Sequence, residues 1–208
     1  MENFDLMAPT FDTDLRIERA RAIARKIRTR IHGGYNKRAL EFGCGTGLVG
    51  FELEDAFEHL LFVDSSPGMI EQLQKKLNGG EHPACQALCS DFTKSIPDDI
   101  RVDFVFSSMV LHHVKDVEAI LRNLFHLLNE SGRLLIVDLD TDDGSFHAKD
   151  PDFDGHNGFE HQALICMAEK AGFKNVVCET FYYNKKRLEG RAAPYSLFLL
   201  DGEKQFNL

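Results

Sequence analysis

The chain contains no tryptophan, no CxxC pair and no apolar run approaching the ~20 residues that a membrane-spanning helix needs. Its five cysteines (Cys44, Cys85, Cys89, Cys166 and Cys178) are odd in number, and only Cys85 and Cys89 are near neighbours. That spacing excludes the usual zinc frameworks and a disulfide scaffold, and it suits free thiols in a reducing compartment. Positive charge is also scarce: 24 Lys and Arg stand against 33 Asp and Glu, a net charge of −9. Such a chain gains no general attraction to nucleic acid phosphates or anionic lipid, so no nucleic acid partner is expected. The first residues, MENFDLMAPTFD, are acidic and lack the apolar stretch of a secretory signal. A cytoplasmic protein without a membrane span is expected.

What is present is enough apolar material for one core. The 208 residues, 43% of them hydrophobic, suffice for a single domain and are too few for two full ones. Thr13 or Asp14 caps a helix with Ile17, Ala20, Ala24, Ile27 and Ile31 on one face, stopped by Gly33 and Gly34. Strands are predicted at Lys37 to Phe42, His59 to Asp64, Ala84 to Leu88, Val102 to Ser107 and Leu134 to Leu139. Helices alternate with them. One runs from Leu48 to Ala56, one starts at the Ser66-Pro67 cap, and one follows Asp116 with Val117, Ile120, Leu121, Leu124 and Leu128 inward. A polar connection from Asp140 to Gly158 is long enough to suggest a lid. A helix over Glu160 to Ala171 and strands at Asn175 to Tyr183 and Pro194 to Leu200 complete the chain. Alternating strands and helices predict an α/β doubly wound, Rossmann-like seven-stranded sheet with helices on both faces. It is mostly parallel. The short link between the last two strands predicts an antiparallel last strand at the edge. The domain is single over 1–208, with 1–34 as an N-terminal cap segment and helix and 140–158 as the lid loop.

In such sheets ligands sit beyond the carboxyl ends of the strands, where strand order reverses. The first loop there reads ALEFGCGTGLVG, with Glu41, Gly43, Gly45 and Gly47. Gly45, Gly47 and Gly50 also match the dinucleotide pattern GxGxxG, followed at a plausible distance by Asp64. The expected register opposes that match, because Gly50 falls inside the predicted helix rather than opening it. Glu41 opposes it too, since a carboxylate repels a pyrophosphate and suits a cationic ligand. Tyr182 and Lys186 form YxxxK, but they lie on a predicted strand, where the pair does not converge as it would on a helix. An NAD(P)-dependent oxidoreductase is therefore the weaker alternative, and the absence of GKS or GKT excludes a Walker loop.

The ordered set EFGCGTG, VDSSPGM, SDF and VDFVFSSMVLHHV followed by LLNESGRLLIVD resembles the class I S-adenosylmethionine-dependent methyltransferases. The subgroup that includes quinone-biosynthesis (ubiquinone/menaquinone) methyltransferases is the nearest resemblance, and NFDLMAPTFD resembles its segment that folds over the cofactor. The resemblance implies S-adenosyl-L-methionine as cofactor. It implies that Gly43, Gly45 and Gly47 approach its amino acid part and that Glu41 sits near its ammonium. Asp64 would accept the ribose hydroxyls, with Ser65 beside it. Met69 would pack on the adenine, Asp91 and the Phe92 backbone would meet its polar edge, and Ser107 and Ser108 would line the methyl-transfer face. Each has a plainer role available: a tight turn for the glycines, a cap or turn for Asp64 and Asp91, core packing for Met69.

The acceptor is expected to be a small molecule. No NPPY-like tetrapeptide follows the fourth strand, where SSMV stands, and the net charge is negative. Phe4, Phe11, Phe146, Phe159, Phe181 and Tyr182 are candidates for its apolar walls. His112 and His113, after the fourth strand, and His156, in HNGFEH, are the candidate catalytic bases. His147, His156 and His161 with Asp150, Asp152 and Asp154 match no common metal spacing, so no metal site is expected. A non-catalytic sensor or scaffold that binds the cofactor is the first alternative, ahead of the oxidoreductase. Nothing in the residues fixes an oligomeric state.

Overall fold

A computed structural model describes residues 4–32, 36–80, 82–150, 152–188 and 191–205. The predicted helix stop at Gly33 and Gly34 and the start of the cap segment at residues 1–3 lie outside these residues. Seven strands form one sheet: β1 (Arg38–Phe42), β2 (His59–Asp64), β3 (Cys85–Cys89), β4 (Val102–Ser108), β5 (Leu128–Leu139), β6 (Lys174–Leu188) and β7 (Arg191–Glu203). Their order is β3-β2-β1-β4-β5-β7-β6. The first five pair in parallel, and β7 runs antiparallel to both β5 and β6. The antiparallel strand therefore lies one place inside the edge, and β6 is outermost.

Period-two alternation builds two cores. Leu40, Phe42, Val105, Leu134, Ile136, Phe198 and Leu200 share one of them with helices α4 (Val117–Leu127) and α5 (His161–Ala171). Ala39, Phe104, Phe106, Leu135, Val137, Leu197 and Leu199 share the other with α2 (Asp14–Arg28) and Leu73 of α3 (Pro67–Leu77). A short α1 (Phe4–Met7) precedes them. The caps are those the sequence predicts. Thr13 accepts from the Arg16 N–H, Ser66 from Met69 and Asp116 from Ala119. Helix α5 starts one residue late because the Glu160 carboxylate is itself the cap, and it ends at Gly172 with φ +114°. Helix α2 stops at Arg28, so Ile31 lies beyond it, and Ile23 joins Ala20, Ala24 and Ile27 inside. No helix among the described residues is long and apolar enough to cross a membrane, and the five cysteines are free.

Three elements differ from expectation. The helix predicted at Leu48 to Ala56 is instead two 3₁₀ turns, Gly50–Glu52 and Glu54–Ala56. An α-helix would need the Gly50 N–H to donate to the Thr46 carbonyl. Gly50 donates to Glu41 Oε2 at 3.1 Å, and the Thr46 carbonyl accepts from Lys76 Nζ at 2.7 Å. Both partners are thus engaged elsewhere, and Gly50 opens a turn rather than sitting inside a helix. Strand β5 starts early, at Leu128, which caps α4 by donating its N–H to the Phe125 carbonyl and also pairs with Val102. The β6–β7 hairpin extends well past Tyr183, where Asn184 to Arg187 are polar and lack the alternation that marks a half-buried strand.

Leu124 is fully buried between α4 and the sheet. Leu124→Ala should lower unfolding stability by about 2–5 kcal/mol, from lost burial plus the residual cavity. Denaturant unfolding checks it, and a loss under ~1 kcal/mol would show that this face is not a packed core.

Candidate active site

Strand order reverses between β1 and β4, and a cavity of about 700 Å³ lies there, beyond the strands' carboxyl ends. Its floor is the glycine loop after β1. Gly43, Gly45 and Gly47 have φ of +68°, +54° and +84°, a region that side-chain-bearing residues avoid. A Cβ on Gly43 would lie 2.4 Å from Val110, and one on Gly47 would lie 2.7 Å from Leu73. Gly45 differs. Its nearest neighbours would be Phe11 at 3.7 Å and the Met69 sulfur at 3.9 Å, so its backbone opens onto the cavity.

Three carboxylates surround this floor. Asp64, at the end of β2, accepts the Gly45 and Ser66 N–H groups, each at 2.8 Å. Burial pushes its carboxyl up despite these donors. Glu41 is 1% exposed and accepts from Gly50. It has no cationic partner among the described residues, and burial pushes its carboxyl well above the usual range. Asp91 accepts from the Thr93 N–H and hydroxyl and pairs with Lys94 at 2.8 Å. Burial raises its carboxyl, but these bonds outweigh it and hold the group below the usual value. Ser65, Met69 and Phe92 line the same cavity, and Phe92 stacks on Phe42.

The N-terminal segment covers the loop and is latched twice. Asp5 accepts from the Ser66 hydroxyl at 2.5 Å and the Gly68 N–H at 2.8 Å, at the start of α3. Asp12 accepts from the Thr46 hydroxyl at 2.5 Å and pairs with Lys76 at 2.7 Å. Phe4 and Phe11 of this segment line the cavity. Phe146, Phe159, Phe181 and Tyr182, the other expected wall residues, pack in or against the two cores instead. Asp5 and Asp12 have no signal in the sequence beyond the segment's acidity.

The loop after β4 closes the far wall. Ser108 lines the cavity, whereas Ser107 is buried and donates to the Phe42 carbonyl at 2.8 Å, tying β4 to β1. Between them and the helix, Met109 has φ +58°, a strained conformation at the cavity wall that no sequence motif signals. His113 reaches the cavity; His112 lies behind it with Nδ1 2.5 Å from Asp138. Burial, chiefly, holds the His113 imidazole down to about 3, so it is neutral near pH 7. His156 does not face the cavity. Its N–H donates to the His112 carbonyl at 2.8 Å and its Nε2 lies 3.0 Å from the Val114 carbonyl, so it stitches the long loop in place. His161 pairs with Asp140 at 2.6 Å, also away from the cavity. His147 instead joins His112 and His113. Within the long connection, Phe153, Asp154 and Gly155 line the cavity, and Lys115 pairs with Asp154 across its mouth at 2.5 Å. Tyr182 and Lys186 lie on β6, paired with Leu197 and Ala193, and make no helical YxxxK face.

Known proteins of one family resemble this chain in sequence and fold. The family described as "Methyltransferase domain" matches residues 15–178. An uncharacterised methyltransferase of Schizosaccharomyces pombe is 30% identical over 150 residues, covering 65% of this chain and 53% of its own. Phosphoethanolamine N-methyltransferase 1 of Arabidopsis thaliana is 27% identical over 147 residues, covering 69% of this chain and 30% of its own. The chain thus spans about half the length of the first of these relatives and under a third of the second. Haemonchus contortus phosphoethanolamine N-methyltransferase 2, solved with S-adenosyl-L-methionine, superposes with a TM-score of 0.75 at 15% identity, over 99% of this chain and 60% of that one. By its family match, its fold and its loop chemistry, the chain belongs to the class I S-adenosylmethionine-dependent methyltransferases.

Proposed function

We propose that the chain transfers a methyl group from S-adenosyl-L-methionine to a small-molecule acceptor. The observation that carries this is the convergence, on one cavity of about 700 Å³, of a glycine floor open at Gly45 and the carboxylates of Glu41, Asp64 and Asp91. A buried carboxylate without a cation among the described residues, Glu41, suits a ligand that brings positive charge. Asp64 keeps lone pairs for two hydroxyls after accepting its two backbone N–H groups. We assign Met69 and Phe92 to the adenine faces, Asp91 to its polar edge, and Ser65 and Ser108 to the rim. The bound sulfonium would supply an activated methyl group. The protein's part is alignment, which is worth ~7–11 kcal/mol in favourable cases. Phe4, Phe11 and Phe153 give the acceptor end apolar walls, and we assign the contact with the acceptor to His113, with His112 as its positioning neighbour. Cavity size and the phosphoethanolamine named for the Arabidopsis relative support a small acceptor.

Asp64→Ala should weaken cofactor binding by about 1–3 kcal/mol, roughly 5- to 150-fold, as charge-assisted hydrogen bonds are lost. Calorimetric titration checks it; unchanged affinity would show the ribose is not held there. The same titration with NADH should show no binding.

Glu41 gives a pH test. Its carboxyl is raised above 4.5 in the folded chain, so above that pH the unfolded chain releases a proton the folded chain still holds. Ligand-free stability should therefore fall as pH rises from about 5 toward the raised value. Glu41→Gln keeps an acceptor for Gly50 and cannot ionise, so this slope should shrink. Urea unfolding of both proteins across that range checks it, and parallel slopes would acquit Glu41.

Turnover is tested with methyl-labelled cofactor and separate small-molecule, protein and nucleic acid fractions. Label should enter the small-molecule fraction. Binding without transfer to any fraction would favour a sensor, and label in a macromolecule would overturn the acceptor class.

A further inference from the structure

Behind the acceptor wall, the loop after β4 and the long connection bring three imidazoles together. His112, His113 and His147 each offer a ring nitrogen, and these atoms lie within 4.8 Å of one another. Each ring is held differently. His112 presents Nδ1 to the buried Asp138 carboxylate at 2.5 Å, which leaves the Nε2 lone pair to point elsewhere. A carboxylate behind a histidine is the usual outer support of a metal ligand. His147 is 6% exposed, and its Nδ1 is buried without a hydrogen-bond partner among the described residues. Its ring is fixed by stacking on Phe153, with centroids 3.6 Å apart and planes at 5°. The turn that carries it, Ser145–His147, is pinned by Asp142, which accepts the Phe146 N–H at 3.0 Å. His113 is the member that reaches the cavity.

We propose that His112, His113 and His147 bind one first-row divalent transition ion, for which Zn²⁺ and Co²⁺ are the probes. Imidazole nitrogens suit such ions and not Ca²⁺ or Mg²⁺, which require oxygen ligands. A tetrahedral ion with bonds of 2.0–2.1 Å sets its ligands about 3.4 Å apart, so each nitrogen moves inward by at most roughly 0.8 Å. Asp138 and Asp142 supply nearby negative charge; Lys186, whose ammonium bonds the Phe146 carbonyl, opposes it. Coordination would satisfy the orphaned His147 nitrogen, which packing alone leaves unpaired. Three protein ligands leave a fourth position for water or an acceptor heteroatom, as at catalytic zinc sites. The irregular spacing of 112, 113 and 147 explains why no metal pattern is visible in the sequence. Ion binding is measured without an acceptor, so it stands or falls apart from methyl transfer.

The test is titration of the chelator-treated full chain with Co²⁺, followed by visible absorption, and with Zn²⁺ by calorimetry. One equivalent should bind, with the intense d–d bands of a four-coordinate ion and no thiolate charge-transfer band. His113→Ala and His147→Ala should each lower affinity at least about 100-fold, and Asp138→Asn about 10- to 100-fold. His156→Ala, which removes a loop contact only, should retain binding. Circular dichroism and cofactor titration on each variant report folding, and His113→Ala covers the case in which buried His147 is needed to fold. No saturable binding, a thiolate band, or affinity unchanged in both histidine variants would overturn the proposal.

Discussion

The Asp64 carboxylate links the two loops that form the site. One oxygen accepts from Gly45 in the loop after β1, and the other from Ser66 at the entry to α3. Ser66 then caps α3 and donates to Asp5 in the N-terminal segment. A single charged group at a strand end therefore sets the glycine floor, the helix entry and, through one hydroxyl, the cap. Asp5 strengthens the last link because it also accepts from Gly68, where a Cβ would meet its backbone at 2.8 Å. The cap can sit this close only because position 68 has no side chain.

Glu41 serves the same floor from beneath. Its bond to Gly50 draws that N–H out of a helical ladder and leaves the following segment as 3₁₀ turns. Only a residue without a side chain fits at position 50, where a Cβ would lie 2.2 Å from Phe62 and 2.4 Å from the Glu41 carboxylate. A buried acid with one N–H donor and no cation is costly to keep ionised. That cost makes sense where a cationic ligand completes the pair, and it links local backbone geometry to the kind of molecule the cavity takes.

Legibility in the sequence followed the physics of each element. Caps such as Thr13, Ser66 and Asp116 were readable because one side chain and one N–H two or three residues on decide them. The parallel strands were readable because burial on both faces leaves continuous apolar runs such as LLIVDL. Glu41's effect on Gly50 spans nine residues and needs the β1 register, so local propensity missed it and predicted a helix. The β6–β7 extension was invisible because, beyond the sheet, no buried face imposes alternation. In the site, Glu41, Asp64 and Ser108, all at or near strand ends, line the cavity. Strand alternation turns Ser107 away from its neighbour Ser108, so that of the two only Ser108 reaches the cavity.

The histidines show the limit of linear spacing most sharply. His156 and His161 share a short motif with each other, yet one holds a carbonyl of the loop after β4 and the other an aspartate at the end of β5. His147, 34 positions beyond His113 in the chain, meets it because the long connection folds back. That return path is itself specified by small constraints. Gly155 fits against the His112 carbonyl, where a Cβ would lie 2.2 Å away, and the His156 N–H closes on the same oxygen. Both contacts are long-range backbone geometry, with no periodicity to announce them. The segment's polarity reads as a solvated loop, whereas its backbone bonds make it a wall of the cavity. Side-chain chemistry at such a wall depends on register between loops, and register becomes visible only after the fold is in place.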